Sequence, residues 1–247
     1  MTPSQQRNLI IVLLAAGSLI VVILSVIALT RSQRDIQIAA PADDALPAGG
    51  FSFFDVDRTT VLNPDLRKTL SNLLGSDAIA HATPIDLTVV NRQFFQTHLP
   101  ILARLNERLN PAMGGRREHD TTRLTYHRAE RNNMPFRYIE LVFSNRTGLP
   151  LYFIINPTAD FADSISTLTT KYGSPREVQT ENIAAPVRIW EQDGDFLVAT
   201  TFPRRSGRLS QELRIYFVNS LKQLVESEDQ ALRQQDNTTR KAGERAF

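Results

Sequence analysis

The chain has 247 residues, 42% hydrophobic and 22% charged, a balance that excludes both an intrinsically disordered chain and a polytopic membrane protein. A net charge of +2 is too even for a nucleic-acid-binding protein, so nucleic acid is not an expected partner. With no cysteine, the chain cannot form disulfides, thiolate-ligated zinc, iron–sulfur clusters or a cysteine nucleophile.

The first element is an apolar run, Leu9 to Leu29, without a charged residue. As a helix rising ~1.5 Å per residue it spans ~31 Å, the thickness of a bilayer's hydrocarbon core. Its length exceeds the ~7–15 residues of a cleavable signal core, which favours an uncleaved signal anchor. Residues 1–30 therefore read as a cytoplasmic tail and one transmembrane span. The positive charges flanking the span are nearly tied, with Arg7 and the α-amino group before it and Arg31 and Arg34 after it. A short N-terminal tail before a long domain favours export of the domain, so the expected location is the cytoplasmic (inner) membrane with the domain on the periplasmic side. Residues 31–50, rich in alanine with two prolines and closed by Gly49-Gly50, read as a flexible linker. Residues 51–232 read as one α+β extramembrane domain, and residues 233–247 as a disordered polar tail.

Within the domain, Asn63 caps and Pro64 opens a helix carrying Leu66, Leu70, Leu73 and Leu74, which Gly75 ends. Ile85 to Val90 alternates like an edge strand, and Pro100 kinks or starts the next helix. Two later stretches resemble one another. Leu102, Leu105 and Leu109 recur 63 residues on as Ile165, Leu168 and Tyr172, and Asn110 at the first helix end matches Gly173 at the second. Strands follow each helix: Arg123–His127 against Val187–Glu191, with Tyr126 opposite Trp190, and Tyr138–Phe143 against Phe196–Phe202. The last pair is Leu151–Ile154 against Ile215–Val218. Asp193-Gly194 marks a tight turn. The expected fold is α+β, an N-terminal transmembrane helix followed by two tandem units of a helix and a three-stranded antiparallel meander, at about residues 91–156 and 157–219.

This element order, with the helix ending Lys171-Tyr172-Gly173-Ser174-Pro175, is similar to the tandem helix-and-meander domains of β-lactamase-inhibitor-like proteins. It also resembles small envelope lipoproteins that support outer-membrane barrel assembly. The resemblance implies the fold alone, since fold does not fix function.

Three constellations could carry chemistry. Phe53-Phe54-Asp55-Val56-Asp57-Arg58-Thr59 resembles the first motif of haloacid-dehalogenase-type phosphatases, which implies Asp55 as nucleophile and Asp57 as acid/base, although Arg58 stands where that motif has glycine. Of the four histidines, His119 lies beside Glu118 and Asp120 and could join His127 as metal ligands, but no ligand spacing supports a site; a solvated loop is the simpler reading, and no cofactor or metal is expected. Arginine is the third signal. The chain has 24 arginines against four lysines, and nine of the arginines fall between Ile101 and Pro150 against five acidic residues. Arg146 in the first hairpin loop and Arg204, Arg205 and Arg208 in the second would form basic tips for lipid phosphate, an anionic glycan or an acidic protein. The simpler reading of these loops is ordinary solvated hairpin tips.

The expected function is a membrane-anchored, non-enzymatic binding or assembly module engaging a protein or anionic partner of the cell envelope. Alternatives are a phosphatase-like hydrolase at Asp55 and Asp57 and a regulatory subunit binding a small ligand between the repeats.

Overall fold

A computed structural model describes residues 50–111, 117–127, 129–158, 161–180, 185–203 and 209–246. The span 9–29 and the linker lie outside the described residues. Among the described residues no helix is long and apolar enough to cross a membrane.

Eight strands form one antiparallel sheet: β1 (Ala78–Thr83), β2 (His119–His127), β3 (Phe136–Ser144), β4 (Pro150–Pro157), β5 (Arg176–Val178), β6 (Val187–Gln192), β7 (Asp195–Pro203) and β8 (Leu209–Tyr216). Their spatial order is β1-β2-β3-β4-β8-β7-β6-β5. Five helices pack around it: α1 (Pro64–Leu74), α2 (Arg92–His98), α3 (Pro100–Leu109), α4 (Phe161–Tyr172) and α5 (Val218–Ala246). The protein is therefore α+β, as its pattern of elements predicts.

Strand alternation sends side chains to two cores. Ile139, Leu141 and Phe143 of β3 join Phe153 and Ile155 of β4, Trp190, and Leu197 and Ile215 beneath α1 and α4. Val142, Tyr152, Val198 and Tyr216 point the other way, under α2, α3 and the first turns of α5. Leu102, Leu105 and Leu109 of α3 are buried there, and truncating any of them to alanine would cost about 2–5 kcal/mol.

The helix caps follow from the sequence. Asn63 Oδ1 accepts the Leu66 N–H at 2.8 Å and Asn91 Oδ1 accepts the Phe94 N–H at 2.8 Å. Pro100 separates α2 from α3, as expected. Three expectations change. Residues 85–90 are not a strand; the edge is β1, seven residues earlier, and 84–90 cross the sheet as a loop. The chain from 233 to 246, expected as a disordered tail, continues α5. Its sequence has no proline, and its only glycine, Gly243, comes after about three further turns of mostly polar residues.

The third change concerns the two units. Helices 100–109 and 161–172 pack on opposite faces, so the offset of 63 residues does not relate them. The strand registers relate other elements. Tyr126, Ile139 and Ile155 form one cross-strand row through β2, β3 and β4, and Trp190, Leu197 and Ile215 form its equal through β6, β7 and β8. Ala78 pairs with Thr125 as Arg176 pairs with Ile189. Gly75, at the end of α1, lies three residues before Ala78, and Gly173, at the end of α4, lies three before Arg176. Each unit is thus a helix followed by four strands, α1-β1-β2-β3-β4 and α4-β5-β6-β7-β8. The helix pair α2–α3 is inserted between β1 and β2, where the second unit has only a short link. An amphipathic helix spacing is common to all these helices, which is why the sequence pairs the wrong two.

Candidate functional site

On the face shared by α3 and α5, the helices cover only one end of the sheet. Residues alternate along each strand, so the same face continues past Val142 to Glu140 and Tyr138 on β3, and past Tyr152 to Ile154 and Asn156 on β4. On β8 it runs past Tyr216 to Arg214 and Glu212, and on β2 it holds Arg123, Thr125 and His127. These side chains make a polar, aromatic half-face, lying between the crossing loop 84–90 and the strand ends near His127 and Ser210.

The half-face is internally bonded. The Tyr138 hydroxyl donates to Glu140 Oε2 at 2.6 Å, and the Tyr152 hydroxyl to Oε1 at 3.2 Å. Arg123 Nε lies 3.4 Å from Glu140 Oε1, and its guanidinium donates to the Pro84 carbonyl at 2.8 Å. Arg214 repeats the device: its Nε donates to Glu212 at 2.6 Å and its Nη1 to the Thr88 carbonyl at 2.9 Å. The Tyr216 hydroxyl donates to the Leu87 carbonyl at 2.8 Å. Two arginines and a tyrosine thus pin the loop across the sheet, satisfying buried polar groups that would each cost about 1–3 kcal/mol unpaired. Burial, then the Glu140 carboxylate, drives the Tyr138 and Tyr152 hydroxyls well above the ordinary range. Burial, aided by the carboxylates of Glu212 and Asp86, pushes Tyr216 up to about 12 despite Arg214. All three remain neutral donors at physiological pH. Towards the open end the His127 ring packs against Tyr138 at a tilt, centroids 5.3 Å apart, and Asn156 Oδ1 is buried without a hydrogen-bond partner.

Beside the loop, a cleft of about 780 Å³ is lined by Asp86, Arg92, Phe95, Gln96, Asn106 and Glu107 among others. Asn106 and Asn110 at its base are committed to the loop, through Leu87 N–H, Thr88 Oγ1 and the Ile85 carbonyl. It lies within the insertion, not between the two units. Val90, a β-branched residue at φ 64°, ends the loop in the left-handed region.

The residues singled out from sequence lie apart. Arg146 is exposed on the β3–β4 turn; Arg204, Arg205 and Arg208 lie outside the described residues. Because β4 and β8 are antiparallel, the β3–β4 turn and the strand ends Pro203 and Leu209 stand at opposite ends of the sheet. The two hairpins therefore do not combine into one basic tip. Asp55 is exposed in a tight turn between the bridged Phe53 and Val56, at φ 60°. Asp57 Oδ1 accepts Thr59 N–H at 2.9 Å, Thr59 Oγ1 at 2.7 Å and Thr60 Oγ1 at 2.9 Å. Burial raises the Asp57 pKa, but these bonds together outweigh it and hold the carboxyl below its ordinary value. It is a structural acceptor for the turn.

His119 and His127 begin and end β2. His119 Nδ1 sits 3.0 Å from Glu228 of α5, and Asp120 accepts from Asn145. Among the described residues no group of three histidine or acidic side chains could hold a metal. The polar half-face escaped the sequence reading although its signal is present: in Tyr138-Ile139-Glu140-Leu141-Val142 the alternate positions are polar at one end of the strand and apolar at the other.

No protein-family model, curated protein or solved structure matches the chain.

Proposed function

We propose that this chain is a membrane-anchored, non-enzymatic binding or assembly module. Leu9 to Leu29 would tether it, and its α+β domain, on the extracytoplasmic side, would engage a protein of the cell envelope through the open half-face. One observation carries the reading. Tyr138, Arg123 and Arg214 stand half-buried on rigid strands, bonded to Glu140, the Pro84 carbonyl and Glu212 and lying beside the exposed His127, so a partner meets a largely preformed surface of the residue types that dominate binding energy. The tandem helix-and-meander duplication fits this use, since one unit's insertion covers the sheet and leaves the other end open. The hydrolase reading is weaker because Asp57 is consumed by Thr59 and Thr60 and Asp55 points from an exposed turn. A basic-tip reading keeps Arg146 and the 204–208 loop as separate contacts.

The test is a photoreactive residue at His127 in the full chain, in intact cells, with Thr69 on the outer side of α1 as the control. A discrete adduct at His127 and none at Thr69 is expected. No adduct at His127 or Thr125 would refute the open half-face as a binding surface.

A further inference from the structure

α5 crosses the top of the sheet and leaves it. Its first N–H, from Val218, is accepted by Asp195 Oδ1 at 2.8 Å at the start of β7. Ten residues on, Glu228 lies 3.0 Å from His119 and 3.3 Å from Arg117, at the start of β2. At ~1.5 Å per residue the helix has advanced ~15 Å, which matches the ~14 Å from β8 across β4 and β3 to β2. Asp229 pairs with Arg108 of α3. Beyond it the helix runs on to Ala246, about another ~25 Å. The described side chains from Gln230 to Thr239 are exposed, including Leu232 at 44%. A polar helical end without tertiary packing is only marginally stable in water.

The strand beyond β2 is β1, and it ends the sheet unguarded. Ala78-Ile79-Ala80-His81-Ala82-Thr83 carries no acidic or basic residue other than His81 and no proline, and every residue but Thr83 is exposed. Ile79 on β1 and Leu73 on α1 are each 37% exposed. The opposite edge is guarded: β5 is three residues long, carries Arg176 and Glu177, follows Pro175, and its Arg176 reaches the His98 carbonyl of α2. On the α5 side, β1 presents only Ala78 and Ala80, which leaves room for a helix to cross.

We propose that a second copy of this chain occupies the open half-face: the β1 edges pair antiparallel about a two-fold axis, and the free end of each α5 lies across the other copy's Thr125, His127 and Tyr138. This rests on reading that half-face as a binding surface and names its occupant. A two-fold axis normal to the sheet brings the top of one copy level with the bottom of the other. The helix that leaves the top of one sheet therefore arrives over the open bottom of the next. Its reach fits, because four strand spacings, ~19 Å, separate β2 of one copy from β3 of the other. The bulge between His81 and Thr83, with Ala82 at φ 53°, limits the strand pairing to Ala78–His81. The helices then supply most of the buried area. Two copies tethered in one membrane would meet at high effective concentration.

The native chain has no cysteine, so pairs can be introduced cleanly. Two differently tagged full-length copies, one Thr125→Cys and one Thr238→Cys, are co-expressed and treated with a short thiol cross-linker in intact cells. A mixed-tag dimer that needs both cysteines is expected, with none when Thr69→Cys replaces Thr125→Cys. Ending the chain after Ala231 is expected to abolish cross-linking through Ala80→Cys while the shortened chain still unfolds in one cooperative transition, because the described side chains from Gln230 to Thr239 are exposed. A dimer that lacks the Thr125–Thr238 product overturns the proposal. So does a monomer whose His127 photoadduct contains a different protein, though the binding surface itself then stands. A monomer without any adduct overturns both.

Discussion

Ile154 of β4 and Arg214 of β8 are direct partners across the middle of the sheet, and the registers repeat about them: Phe153 faces Ile215 as Ile155 faces Leu213. Rotation about this pair exchanges the two units, strand for strand and helix for helix, and carries Gly75 onto Gly173.

Both glycines end their helices in the left-handed region, at φ 93° and 83°. A side chain at either position is strained, so Gly75→Ala and Gly173→Ala are each expected to cost about 1 kcal/mol. Gly75→Ala should cost more, since its Cβ would stand 3.2 Å from Asn132 Nδ2, whereas nothing lies within 4 Å at Gly173. Denaturant unfolding of the two variants checks this; a harmless substitution at either site would contradict the assigned helix ends.

Glu140 ties Tyr138, Tyr152 and Arg123 into one network with its carboxylate 10% exposed. Glu140→Gln leaves the Arg123 guanidinium without its counter-charge and is expected to cost about 1–3 kcal/mol. Tyr138→Phe removes one neutral donor and should cost less, about 0.5–1.5 kcal/mol. Because Glu140 helps hold the Tyr152 hydroxyl above its ordinary range, Glu140→Gln should also lower the midpoint of tyrosinate formation. Equal stabilities with an unchanged titration would show that the network contributes nothing.

Much of this was legible in the sequence. Asn63-Pro64 and Gly75 fix α1, Asp193-Gly194 the β6–β7 turn, and the opposed Tyr126 and Trp190 survive as equivalent positions in the two units. The pairing of helices was not legible, because an i, i+3, i+7 leucine pattern reports that a face is buried and not which side of a sheet covers it. Nor was the half-face. It is assembled from single polar residues on four strands, brought together by register, and no local motif carries it.

Arg67 donates to Asp77 through Nε at 2.7 Å and through Nη2 at 3.1 Å, at the junction of α1 and β1. That hydrogen bond, and then the charge of Arg67, holds the Asp77 carboxyl below its ordinary 3.8. A depressed carboxyl stabilises the fold above its unfolded pKa and loses that contribution as pH falls through the folded one. The acid limb of the stability profile below 3.8 should therefore flatten in Asp77→Asn, with little change in slope above pH 5 or so. An acid limb identical to the parent's would remove Asp77 from the account.

Asp195 shifts the other way. Its side chain is 2% exposed, Oδ1 accepts the Val218 N–H, and Oδ2 has no hydrogen-bond partner. Burial raises its pKa; the Val218 bond and Arg58, 4.0 Å away, oppose this without reversing it. A group whose pKa is raised on folding contributes most below its unfolded value, and that contribution is lost as pH rises through the folded pKa. Asp195→Asn keeps an acceptor for Val218 and removes the buried charge, so it should abolish this loss and leave a flatter profile on the neutral side. Asp195→Ala removes the acceptor as well and should cost about 0.5–2 kcal/mol at every pH, as for other helix N-terminal caps. Measuring both variants separates cap from charge: equal destabilisation by Asn and Ala would mean that the Arg58 attraction, and not the cap, holds the start of α5 on β7.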